Sequence, residues 1–160
     1  MSNLTSTFKQ NLNICPQQLE AILKTSLGEF LNSRELQATL NSLDTNLLRA
    51  TLPTAGQVLA EELPPFYHWL KHELGLKRVP DSPDHTTKWV INFLNNQESL
   101  MHLVELHRPV PRPALEAAVP RLVGLFSSVE DEPVKQEWQK AVTALCLVLV
   151  VAAREQESVN

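Results

Sequence analysis

The run ALCLVLVVAA, residues 144–153, is the most apolar in the chain, and any fold must find a place for it. It admits three readings: a membrane segment, a buried strand, or the central helix of a core. Val134, Trp138, Ala141, Leu145, Val148 and Ala152 decide among them, because they step by four, three, four, three and four positions. That spacing is the seam of an α-helix, whereas strand side chains alternate every second residue. The seam begins among polar residues and continues through the apolar run. The helix is therefore expected to be amphipathic at its start and apolar all round at its end, which places that end inside a bundle. Residues 141–153 as a helix span only about 20 Å against about 30 Å of membrane hydrocarbon, so no membrane is expected as a partner. The competing expectation is that one side of the helix stays open as a contact surface, since a monomer seldom exposes so much apolar area.

This final helix also has the clearest start in the chain. Glu130, Asp131 and Glu132 bring negative charge to its positive N-terminal end, and Pro133 suits the first turn. Upstream, Leu19, Ile22, Leu23, Leu27, Phe30 and Leu31 line one face of a helix predicted over 16–31 and opened by Pro16. Ser33 can cap a second helix carrying Leu36, Leu40, Leu43 and Leu47, with Ser42 or Asp44 as its point of interruption. A third piece over 54–63 is expected to stop at Pro64 and Pro65, with Pro65 starting FYHWLKHEL and Gly75 ending it. After the loop LKRVPDSPD, Asp81 or Ser82 can cap a helix bearing Trp89, Val90, Phe93 and Leu94. ESLMHLVELH reads as a further short helix. RPVPRP must be extended, because each proline restricts the residue before it. Pro113 can open ALEAAVPRLVGLF, which the interior Pro120 should kink or divide.

No strand pattern, hairpin turn or internal repeat competes with these helices. The predicted fold is all-α: a single compact bundle of about six to eight helices, several short and Pro-started, packed around the apolar C-terminal helix. Residues 1–12 and 157–160 are polar ends expected to be flexible, leaving 13–156 as the single helical domain. A chain of 160 residues can bury one real core without metals or disulfides. Cys15 and Cys146 stand far apart and in no metal-binding spacing, so both are expected as reduced thiols, with Cys146 packed in the core. The segment MSNLTSTFKQ lacks the basic start and apolar run of a secretory signal, which points to a cytoplasmic location.

The histidines are the first place to look for chemistry, because all five lie between residues 68 and 107. His68 and His72 are four apart, and His102 and Glu105 three apart, as ligands on helices often are. Helical phase argues against an enclosed metal site: Phe66, Trp69, Leu70 and Leu74 centre near about 20°, whereas His68 and His72 fall near about 200° and 240°. The pair faces away from the core that would have to surround a metal. HWLKH also lacks the glutamate that zinc proteases place after the first histidine. Phosphate loops, dinucleotide fingerprints, nucleophile elbows and paired-cysteine sites do not occur either. No metal, no cofactor and no catalytic residue are expected. RPVPRP, with prolines at every second position, reads as a stiff spacer rather than a ligand for proline-binding modules.

The function these features favour is that of a non-catalytic interaction subunit or adaptor, docking to another protein or to itself as a homodimer. The contact residues expected for it are Trp138, Val142, Leu145 and Leu149 on the final helix, with Phe66 and Trp69 from the 65–78 region. The alternative is a nucleic-acid-contacting small helical subunit of a ribonucleoprotein, a role known from CRISPR effector complexes and applied here by analogy only. Lys71, Lys77, Arg78, Lys88, Arg108 and Arg112 would then meet phosphates. The formal charge of −4 disfavours it, because nothing in the overall balance attracts a polyanion.

Overall fold

Four consecutive helices of the computed structural model begin where local chemistry can satisfy or dispense with the free N–H groups of a first turn. The structure describes residues 3–75 and 97–159. Helix α1 (Asn3–Leu12) ends at Asn13, whose φ of 55° is a left-handed turn that asparagine tolerates. Helix α2 (Pro16–Leu23) has Pro16 in its first turn, and the Gln18 side chain accepts the Cys15 N–H at 3.0 Å. Ser26 caps α3 (Leu27–Leu31) by accepting the Glu29 N–H at 3.1 Å, and Ser33 does the same for α4 (Arg34–Asn41) through the Leu36 N–H at 3.1 Å. Asp44 caps α5 (Thr45–Ala50), its carboxylate accepting the Leu47 N–H at 3.0 Å. The long helix predicted over 16–31 is thus two helices, because a side-chain oxygen at Ser26 competes successfully with continuation of the ladder. The interruption expected at Ser42 or Asp44 falls between α4 and α5.

The remaining elements are α6 (Leu52–His72), α7 (Gln97–His107), α8 (Arg112–Gly124), a 3-10 turn (Leu125–Ser128) and α9 (Glu132–Val159). Among the described residues the fold is all-α, with nine α-helices and no strand, against the six to eight expected. The helix expected after LKRVPDSPD, with Trp89, Val90, Phe93 and Leu94, lies outside the described residues.

Three expectations are corrected by the structure. Pro64 and Pro65 do not divide α6, which runs through both. Its buried stripe of Ala55, Val58, Leu59, Leu63, Phe66 and Leu70 passes the prolines unbroken, while Pro64, Pro65, Ala60 and Glu61 are exposed. The carbonyls of Ala60 and Glu61, which lose their helical donors, therefore stand where water can serve them. Pro120 likewise sits inside a single α8. Second, within the N-terminal segment expected to be flexible, Asn3–Leu12 form α1, which brings Leu4 and Phe8 into the core, Phe8 with 0% exposure, and packs against α8 and α9. Third, the C-terminal tail continues α9 to Val159, and Glu157 is tied to Arg112 on α8. Both ends read as flexible because polar residues surround the few that pack.

Helix α9 is the centre of the fold. Seven of the other helices and the 3-10 turn lie against it, and residues 141–151 are buried without interruption. Its start follows the acidic signal, with the Asp131 carboxylate accepting the Val134 N–H at 3.3 Å. By length and composition the stretch Glu132–Glu157 could cross a membrane, so the 20 Å argument does not extend to the whole helix. Burial identifies its place instead, since 67% of its most apolar window is covered by the chain's own helices. The one polar side chain in the run, Thr143, is fully buried and donates its hydroxyl to the Gln139 carbonyl one turn back.

Candidate functional site

The residues expected to form a contact surface on α9 are interior. Trp138 is 0% exposed, and Val142, Leu145 and Leu149 are buried beside it. The Trp138 ring lies parallel to Phe126 at 5.9 Å, and its indole N–H donates to the Thr51 hydroxyl at 2.8 Å. These groups bind the chain to itself, so the surface expected on that helix is already occupied. Phe66 is buried too. Trp69 is half-buried, stacked 6.1 Å from Phe66, with the Arg121 guanidinium 4.3 Å above its ring, and that cation–π contact pins α6 to α8.

Three of the six basic residues lie among the described residues. Lys71 is exposed on α6, whereas Lys77, Arg78 and Lys88 lie outside the described residues. Arg108 pairs with Glu105 at 2.8 Å, and Arg112 with both Glu116 and Glu157 at 2.7 Å. The hydrogen bond from Arg112 to Glu157, with the charge of Glu116, raises the arginine pKa further above its ordinary value. Two of the six expected phosphate contacts thus already face carboxylates of their own chain.

Those same ion pairs frame a concave feature that joins several elements. Glu116 on α8 accepts Arg154 of α9 through Nε at 3.0 Å and Nη2 at 2.7 Å, while holding Arg112 one turn away. Glu155 reaches across to α3 and accepts the Leu27 N–H at 3.2 Å. The end of α9 is therefore fastened to α3 on one side and to α8 on the other. Between them, and below the turn that joins α7 to α8, lies a cleft of about 490 Å³. Leu27, Val104, Val110, Leu115, Leu149, Ala152 and Ala153 supply its apolar lining, and His107, Arg108, Arg112, Glu155, Gln156 and Glu157 its polar one. RPVPRP shapes this corner, since Pro111 is extended at ψ 144° and Pro113 lies in the first turn of α8. The extension expected along the whole segment is confined to Pro111: Arg108 and Pro109 form a turn, with the Val110 N–H donating to the His107 carbonyl at 3.1 Å, and Arg112 and Pro113 already belong to α8.

Chemically the cleft can receive a few apolar side chains and orient them by charge of either sign. Its lining contains no serine, threonine, cysteine or lysine to act as a nucleophile. Among the described residues no group of three or more histidine, cysteine or acidic side chains is placed to hold a metal. His68 and His72 are both exposed, with ring centroids 4.1 Å apart. Cys146 is buried, and desolvation pushes its thiol up to about 12.

Sequence reasoning missed the cleft because its residues come from four elements separated by up to more than a hundred positions. Two local signals were present: paired small residues, Ala152 and Ala153, at the end of an otherwise bulky apolar run, and a proline-rich segment at the junction of two helices. Compared with models of known protein families, with curated sequences and with solved structures, the chain gives no significant match.

Proposed function

We propose that the protein is a non-catalytic helical docking subunit that binds another protein or a second copy of itself, and that the cleft among α3, α7, α8 and α9 is its contact site. The observation that carries this reading is the pairing in one cleft of an apolar lining with fixed charges of both signs. Interfaces gain affinity from apolar anchors seated in pockets and gain orientation from the charges around them. The alternative role on nucleic acid ranks second, because Arg108 and Arg112 spend their charge on neighbouring carboxylates. A photo-crosslinking residue at Ala153, half-buried in the cleft, tests the reading in cells, with exposed Ala38 on α4 as the control position. One adduct of defined mass at 153, absent at 38 and lost when Ala152→Arg fills the cleft, is the expected result. No adduct at 153, or the same adducts at both positions, overturns it.

A further inference from the structure

We infer that His68 and His72 on α6 form an open two-histidine chelate for a first-row divalent cation of borderline softness, namely copper, nickel or zinc. The pair stands one helical turn apart on one face, its ring centroids are 4.1 Å apart, and the ring planes are inclined by 37°. Imidazole nitrogens bind such metals at about 2.0–2.1 Å, and two rings held cis on one ion place their centres about 4–5 Å apart. The observed separation falls within that range.

The backbone beneath the pair is already ordered. Phe66 and Leu70, on the opposite side of the same turns, are buried, and the Trp69–Arg121 contact fastens this end of α6 to α8. Binding thus has only side-chain rotamers left to fix. Both histidines are exposed, so a bound ion keeps water at its remaining positions and no charge is taken into the core. Helical phase, which speaks against an enclosed site, does not bear on an open one. Ligand type makes the site selective: imidazole favours copper, nickel and zinc over magnesium and calcium, and copper binds most tightly of the series.

The test is calorimetric titration of the full chain with nickel(II) chloride alone, comparing the native sequence with His68→Gln, His72→Gln and, as a control elsewhere, His102→Gln. All three histidines are exposed, so each variant is expected to keep the helical spectrum of the native protein. One equivalent of nickel binds the native chain, at least about tenfold more weakly in either His68→Gln or His72→Gln, and unchanged in His102→Gln. Nickel also raises the melting temperature of the native chain and of the control but of neither α6 variant, because the unfolded chain cannot hold the two rings in register. Equal affinity in the α6 variants, or no binding by the native chain at millimolar nickel, overturns the proposal.

Discussion

Trp138→Phe separates a core residue from a contact residue. In the structure the indole is fully buried, stacked on Phe126 and hydrogen-bonded to Thr51. Phenylalanine keeps the stacking but leaves a cavity of about 40 Å³, which at about 24 cal/mol per Å³ costs about 1 kcal/mol. Loss of the buried N–H···O bond adds about 1 kcal/mol. The Thr51 hydroxyl still donates to the Leu47 carbonyl at 2.7 Å, so its own donor is not stranded. The total is about 2 kcal/mol, or a melting temperature about 4–8 °C lower for a domain of this size. Urea denaturation followed by circular dichroism measures it, and a double-mutant cycle with Thr51→Val isolates the hydrogen bond as a coupling of about 1 kcal/mol. A loss under about 0.5 kcal/mol together with zero coupling would refute the reasoning. A drop in self-association at unchanged stability would return Trp138 to the contact surface.

Other perturbations probe the corrected ends and the thiols. Phe8→Ala is expected to destabilise the fold by about 3–5 kcal/mol in the same denaturation assay, whereas a flexible N-terminus would let it pass with almost no effect. Pro65→Ala restores an N–H to an exposed turn of a continuous helix, so the melting temperature should rise; a fall would show that α6 needs the break. In the native protein a thiol reagent at pH 8 should modify half-buried Cys15 and spare Cys146, with both reacting in denaturant. The Cys146 thiol is raised from 9.0 to about 12, so the folded state binds more protons than the unfolded state across that range. Stability should therefore be intact below pH 9 and fall as pH rises from 9 towards about 12, and a Cys146→Ala variant should lose less across the same window.

Much of the fold was legible because it rests on local rules. The seam from Val134 to Ala152 located the central helix, Ser33 marked a start by the side-chain oxygen it offers, and Asp44 was one of the two residues expected to interrupt the second helix, whereas Gly75, with its positive φ of 70°, lies two residues past the Glu73 C-cap of α6 rather than at it. The misses arose where tertiary packing outweighed a local signal. Pro64 and Pro65 are helix breakers in isolation, yet the buried stripe on the other side of α6 holds the helix through them. Phe8 is one aromatic in a polar segment, and its burial depends on α8 and α9, more than a hundred residues away. The candidate site was the least legible part. Apolar residues on α9 look alike in sequence whether they meet a partner or another helix of the same chain. The link from Glu116 to Arg154 joins residues 38 positions apart, which no helical period can relate.

The measurement that goes most directly to the centre of this account is native-state hydrogen exchange of the α9 amides at two protein concentrations a hundredfold apart. If residues 141–151 form the chain's own core, their amides exchange only through global unfolding and at the same rate at both concentrations. Fast exchange in the dilute sample that slows on concentration would contradict it, and would mean that a second molecule, rather than the chain itself, covers the apolar helix.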